Sequence, residues 1–213
     1  MSWLEAIILA VIQGVTELIP VSSLGHVIIV PDLLNWAADE RSKAFLPFRV
    51  TMHLGAAAAL IWYFRRNWGV FLLAGLFNRG PQPGAARRLL FQIILAAAPA
   101  VLVMLTVEHA IRDLFALPLV ISAFLLTNGV MLFLVGRMKP AAATGGLHRL
   151  TWRDSLVIGL CQSLVAIPGL SGPGSAMMGA YLTGQNHEDA ARFSFLSATL
   201  VIVAATVKDL LFM

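Results

Sequence analysis

Gln13, Glu17, Ser22, Ser23 and His26 lie in one short stretch, QGVTELIPVSSLGH, set in otherwise apolar sequence. A carboxylate there can act as a general base, ligate a divalent cation or carry a proton, and an ionisable residue inside a membrane-like segment reads first as a functional group. The competing reading puts Glu17 in a surface loop or in a structural pair with an arginine. His26 follows Ser23 by three residues. On a helix the two share a face, and a neutral imidazole can activate the hydroxyl or protonate a leaving oxygen. It can equally cap or bridge helices. Serines such as Ser22 and Ser23 cap helix N-termini or bond neighbouring helices more often than they attack substrates. The same holds for Ser171 and Ser175 in a second polar stretch, IPGLSGPGSA. Gly25, Gly169, Gly172 and Gly174 would let a ligand approach backbone N–H groups, which hold anions.

The elements that must position these groups are apolar. The chain is 59% hydrophobic and 12% charged, with a mean hydropathy of +0.83. Soluble domains average about 25% charged residues, so this chain has too little charge to cover a soluble surface. The composition predicts an all-α, polytopic membrane helix bundle, one integral membrane domain over residues 1–213. Phe45 to Phe64, Leu89 to Val107, Leu117 to Val135 and Phe193 to Leu211 read as spans, the last weakened by Lys208 and Asp209. Two further apolar regions are interrupted: Trp3 to Trp36 around Pro20, and Ser155 to Leu182 by PGLSGPG. Proline frees a backbone carbonyl, and non-helical backbone at membrane depth survives only inside protein or against a wet cavity. Both breaks therefore predict re-entrant segments.

Arg65, Arg66, Arg79, Arg87 and Arg88 occupy one inter-span loop, Arg65 to Arg88, and Arg137, Lys139, Arg149 and Arg153 another, Gly136 to Asp154. Both are expected on the cytoplasmic side, with the mixed-sign loops Asp39 to Lys43 and Glu108 to Asp113 outside. The net charge of +4 is explained by this topology, with no nucleic acid partner implied. NRGPQPGAA, residues 78–86, reads as a loop from its Pro and Gly. The tryptophans fall near span ends, as interfacial anchors do. The single Cys161 permits no internal disulfide, and the N-terminus lacks a basic region and cleavage site, which argues against a removable signal peptide. Glu5 is expected at the interface, His53 in interhelical packing, and His187, Glu188 and Asp189 at a solvated helix start. No P-loop, HExxH, CxxC or GxGxxG motif occurs.

A weak internal repeat relates the two broken regions. Each has a glutamine, an apolar run, Ile-Pro and then a serine three residues beyond the proline: Gln13 with Ser23, and Gln162 with Ser171. Paired interruptions of this kind point to a midplane site between inverted repeats, here about 1–107 and 117–213.

QGVTELIPVSSLGHVIIV resembles the first signature of the undecaprenyl-diphosphate phosphatase family, the bacitracin-resistance proteins, through Gln13, Glu17, Pro20, Val21, Ser22, Ser23, Gly25 and His26. IPGLSGPGSA resembles the second through Pro168, Gly169, Ser171 and Gly174, and HLGAAAALIWYFRRN, APAVL and ARFSFL also resemble family segments. The resemblance implies a bacterial inner-membrane enzyme that removes the terminal phosphate of undecaprenyl diphosphate, recycling the lipid carrier of cell-wall synthesis. It implies a site facing the periplasm and a divalent cation, Mg²⁺ or Ca²⁺. Carried over, Glu17 is a base or metal-linked, Ser23 the nucleophile and His26 a proton donor or acceptor. Gln13, Ser22, Gly25, Gly169, Ser171 and Gly174 line the substrate site. A homodimer is a candidate assembly. The chain departs from the family where Gly172 and Pro173 replace an Arg-Ser pair. An arginine at a phosphoryl-transfer site is worth about 10³- to 10⁵-fold in rate. Either Gly-rich amides and a metal carry that charge here, or the chain is a catalytically impaired paralogue that binds or translocates a polyprenyl phosphate. Arg49, Arg65 and Arg192 are the cations with a conceivable reach. Family members continue beyond Phe212 with more spans, so the chain reads as a short paralogue or a truncated copy.

Overall fold

A computed structural model describes residues 1–36, 45–80, 82–106, 117–137 and 146–211, and these are helical with short turns. The expected outer loops Asp39 to Lys43 and Glu108 to Asp113, and Lys139, lie outside the described residues. Helix α1 (Trp3–Leu18) opens on a capping box: Ser2 Oγ accepts from the Glu5 amide at 3.2 Å, and Glu5 Oε2 accepts from the Ser2 amide at 2.7 Å. Glu5, expected to be interfacial, serves as this cap. The helix stops because the residue before a proline leaves the helical region, and Ile19 has φ −88° and ψ 111°. After the turn at Pro20 the chain returns as α2 (Ser23–Leu33), so residues 3–33 form a hairpin whose tip is the predicted break.

Helix α3 (Leu46–Tyr63) starts with Pro47 in its first turn, where a missing N–H costs nothing. Helix α4 (Arg65–Phe77) then corrects the expected loop. RRNWGVFLLAGLF carries enough apolar residues to fold onto the bundle, burying Phe71 and Ala74, and it ends at Asn78 in the left-handed conformation. NRGPQPGAA is likewise only partly a loop, because Pro83 begins helix α5 (Pro83–Thr106), the other position that suits a proline. Helix α6 (Pro118–Arg137) follows. The second hairpin is α7 (Trp152–Gln162), opened by a Thr151–Asp154 capping box, a 3₁₀ turn (Ser163–Ala166), and α8 (Gly172–Leu182). Helix α9 (His187–Leu211) has Glu188 and Asp189 in its first turn and Lys208 in its last, the arrangement its dipole favours.

Three of these helices are long and apolar enough to cross a bilayer: α5, α6 and α9, with mean hydropathies of 2.4, 2.2 and 1.8. The expected span Phe45–Phe64 is not among them. It forms the 18-residue α3, whose first half carries Arg49 and His53. The main core joins α3, α4, α5, α7, α8 and α9 through Phe64, Phe71, Ile93, Ile158, Phe193 and Leu196. Lipid gives apolar helices no hydrophobic reason to associate, so close backbone approach must do it. The buried positions are accordingly rich in alanine: Ala57, Ala96, Ala100, Ala176, Ala180 and Ala190. Leu102, Leu105, Leu119, Leu126 and Phe133 point outward, and only 17% of the apolar window of α6 is buried, as suits a lipid-facing helix.

Candidate functional site

The tips of the two hairpins meet inside the bundle. A Cβ placed on Gly25 would lie 2.9 Å from Leu125 Cδ2 and 3.1 Å from Gly169 Cα, and one on Gly174 would lie 3.0 Å from the Pro20 carbonyl oxygen. Only glycine lets the backbones approach this closely. Gly169 also has φ +100°, the left-handed region that favours glycine.

Asn128 of α6, 1% exposed, holds both tips. Its Nδ2 donates to the Pro20 carbonyl at 3.1 Å, and its Oδ1 accepts from the Ser171 amide at 2.9 Å. One side chain thus satisfies two backbone groups that the proline breaks released, one in each hairpin. The sequence reading missed Asn128; the signal was an amide isolated in the apolar run of α6, where polar side chains tie helices together.

Between the tips lies a cleft of about 110 Å³, lined from α1 and α2 by Thr16, Glu17, Ser22 and Ser23 and from the second tip by Ser171, Gly172 and Pro173. His53, Met104 and Asp209 complete it toward one end. With about 30 Å³ per water, it has room for a phosphate-sized group. Glu17 Oε2 accepts two hydrogen bonds, from Ser23 Oγ at 2.5 Å and from Gln13 Nε2 at 3.0 Å. Gln13 sits one helical turn before Glu17 on the same face and is 4% exposed, so it fixes the carboxylate from behind.

Two helix N-termini face the cleft. Ser22 caps α2, its Oγ accepting from the Gly25 amide at 3.4 Å, and Ser171 caps α8, its Oγ accepting from the Gly174 amide at 3.1 Å. The positive ends of both helix dipoles are thereby turned on one small space, an arrangement that favours anions. Ser22 holds φ 69°, and a non-glycine residue in this region costs about 1–3 kcal/mol, which the surrounding contacts must offset.

The structure shifts the repeat by one residue. The two capping serines are Ser22 and Ser171, and each lies the same distance along the chain after its glutamine, Gln13 or Gln162. Aligning the prolines instead had paired Ser171 with Ser23. The extra residue after Pro168 is taken up by the positive φ of Gly169. On the corrected alignment Glu17 corresponds to Ala166, and Ser23 to Gly172, so the reactive pair belongs to the first hairpin alone.

Of the residues expected at the site, Glu17, Ser22, Ser23 and Ser171 line the cleft and Gln13 backs it. Gly25, Gly169 and Gly174 act behind it, in the contact between the tips. His26 is on α2 as expected but outside the lining; its Nδ1 donates to the Ser22 carbonyl at 2.8 Å, so the ring folds back onto its own helix start. His53, read as packing, lines the cleft, as does Asp209, which the sequence reading counted only as a weakness in a span. Arg49 pairs with Asp209 through both carboxylate oxygens, Nε to Oδ2 at 3.0 Å and Nη2 to Oδ1 at 2.9 Å, and His53 Nδ1 is 3.8 Å from Oδ2. Among the described residues no group of three or more His, Cys, Asp or Glu forms a metal cage. Glu17 alone, together with phosphate oxygens and water, matches the way Mg²⁺ is held at phosphoryl-transfer sites.

A helical membrane bundle in which two broken hairpins turn helix N-termini on a half-buried Glu–Ser pair is the class this chain defines. The model of the bacitracin resistance protein BacA family matches residues 6–213. The undecaprenyl-diphosphatase of Acidiphilium cryptum is 50% identical over 98% of this chain and 75% of its own length. That of Gluconacetobacter diazotrophicus is 45% identical over 100% and 76%, and that of Gluconobacter oxydans 41% identical over 98% and 76%. The chain belongs to the BacA family.

Proposed function

We propose that this protein hydrolyses the terminal phosphate of undecaprenyl diphosphate, from the outer face of a bacterial inner membrane. The observation that carries this reading is the 2.5 Å bond from Ser23 Oγ to the Glu17 carboxylate, aimed into a cleft at two helix N-termini. Glu17 accepts the Ser23 proton as Oγ bonds to the terminal phosphorus. The bridging P–O bond breaks, and the lipid monophosphate leaves with its electron pair. Its second pKa is near 6, so it departs as a stable anion with no acid required. Glu17 gives its proton up to solvent; water then attacks the phosphoserine, Glu17 takes the water proton and returns it to Ser23 Oγ as the P–Oγ bond breaks, and inorganic phosphate is released. His26 acts by holding the Ser22 carbonyl and with it the strained turn that aims Ser23. A divalent cation on Glu17 and the phosphate oxygens would neutralise charge on the transferred group. The names of the relatives support the choice of substrate, and the cleft's size suits a headgroup whose tail stays in the bilayer.

The test is phosphate release from undecaprenyl diphosphate by the purified protein in detergent, with Mg²⁺ or Ca²⁺ and with EDTA. Cation-dependent release that falls at least about 10²-fold in Glu17→Gln, the range expected for a lost general base, supports the reading. Folded wild type that binds the lipid and releases no phosphate overturns it.

A further inference from the structure

The cleft has a charge problem that its own lining does not solve. Glu17 and Asp209 are both carboxylates, and no lysine or arginine is among the described lining residues. A diphosphate brings further negative charge into this space, and two helix dipoles supply only about half a positive charge each. A cation must come from the rim.

Three arginines have a conceivable reach, and the structure separates them. Arg65 is committed at the surface, donating to the Trp62 carbonyl at 3.0 Å with its guanidinium 4.9 Å from the Trp62 ring centroid. Arg192 lies in a different cleft, beside Glu188 and Tyr63. Arg49 is bound through two nitrogens to Asp209, a residue of the cleft wall. Position 172 cannot serve without rearrangement, because a Cβ there would meet Val165 Cγ2 at 3.0 Å.

We infer that Arg49, parked on Asp209, is the guanidinium that binds the diphosphate in this chain, and that the substrate takes it from Asp209 by exchange of one oxyanion for another. The inference rests on the diphosphatase reading and adds a residue to it. The pair is built for exchange. Its side chains are 19% and 12% exposed, so the pair is part-buried but not sealed, and Asp209 itself lines the cleft that the phosphate would enter. A terminal phosphate presents the same bidentate geometry as a carboxylate with more charge. Parking also places the arginine at the cleft before substrate arrives and keeps Asp209 from repelling it.

The experiment compares wild type, Arg49→Gln, Arg49→Lys, Asp209→Asn and the reversed pair Arg49→Asp/Asp209→Arg in detergent. Phosphate release from undecaprenyl diphosphate is measured beside calorimetric binding of farnesyl diphosphate. Lys208, whose Nζ donates to the Met104 carbonyl at 3.0 Å, is changed to Gln as a neighbouring-cation comparison. The expected result is a fall in kcat/KM of about 10²- to 10³-fold in Arg49→Gln, the usual loss for one transition-state donor. Arg49→Lys should recover part of it, and Asp209→Asn should cost clearly less than Arg49→Gln, because the arginine is still present and less restrained. A merely structural pair predicts the opposite: Arg49→Gln and Asp209→Asn equally harmful, and the reversed pair restored. That pattern, or a loss confined to Lys208→Gln, overturns the inference. If wild type itself releases no phosphate, the diphosphatase reading fails first. Arg49 is then judged on binding alone, where a Kd for farnesyl diphosphate unchanged in Arg49→Gln overturns it too.

Discussion

Asn128 shows how much one buried amide can control. Its two hydrogen bonds join α6 to both proline breaks, and no other described side chain touches both tips in this way. In Asn128→Leu the branched outline is kept, with somewhat more bulk, but the Pro20 carbonyl and the Ser171 amide lose their partner. Each buried unpaired group costs about 1–3 kcal/mol. The thermal midpoint in detergent should fall, and phosphate release should fall further at temperatures where the fold persists, because both helix N-termini lose their alignment. Asn128→Asp separates the two bonds: the carboxylate still accepts from the Ser171 amide but repels the Pro20 carbonyl. It should therefore disturb the Glu17–Ser23 side more than the second tip. Unchanged activity in both variants would show that the tips hold their positions without the clamp. At this scale the sequence was informative only about local pairs. Gln13 and Glu17 could be read together because one helical turn separates them, and Ser22 because capping is a local act. His53 and Asp209 could not, since their importance arises from helices far apart in the chain, and Asn128 stood out only as an isolated amide, without its partners.

The hairpins were legible as elements because proline and glycine act locally. Pro20 and Pro168 end helices in any context, and the serines after them begin new ones. What sequence could not fix was the register of the repeat. Matching Ile-Pro with Ile-Pro is the better alignment of letters, whereas the fold matches glutamine with glutamine and cap with cap, and lets Gly169 absorb the difference. α4 was missed for the complementary reason: its arginines read as loop charge although the residues behind them were apolar. The Gly169 explanation can be tested directly. In Gly169→Ala the new Cβ would sit 2.7 Å from the Ile121 carbonyl oxygen and from Phe124 Cβ, at a φ of +100°. The left-handed conformation alone costs an L-residue about 1–2 kcal/mol, and the clash adds to it. Gly55→Ala is the matched comparison, since its Cβ meets nothing within 4 Å in α3, and alanine there should be neutral or stabilising by about 0.5–1 kcal/mol. Thermal unfolding followed by tryptophan fluorescence should separate the two. Equal midpoints would mean that the second tip tolerates another backbone path.

Across the whole molecule, charge and cleft point in opposite directions. Arg87 and Arg88 lie near the start of α5, where Arg88 Nη2 donates to the Leu150 carbonyl at 2.7 Å and Arg87 Nη1 donates to Asn78 at 3.1 Å. Arg149 and Arg153 flank that same Leu150, so the arginine-rich segments expected to share a side do come together. The cleft is completed from the other end of the bundle, where the last turn of α9 brings Asp209 to the first turns of α3 and where Lys208 reaches Met104 near the end of α5. The positive-inside rule predicts the arginine end in the cytoplasm, and with it a cleft that opens outward. Two exposed positions report this. Asn35 follows α2 at the cleft's end of the first hairpin, and Arg79 lies beside Asn78 at the arginine end. In a Cys161→Ser background, a membrane-impermeant maleimide should label Asn35→Cys in spheroplasts, and label Arg79→Cys only after permeabilisation. The reverse pattern would put the reactive pair on the cytoplasmic side and leave the outward-facing phosphatase without a topology. Labelling of both cysteines without permeabilisation would mean two orientations in the same membrane. The charge asymmetry would then be too weak to orient a bundle in which only α5, α6 and α9 are long and apolar and α3 is polar at one end.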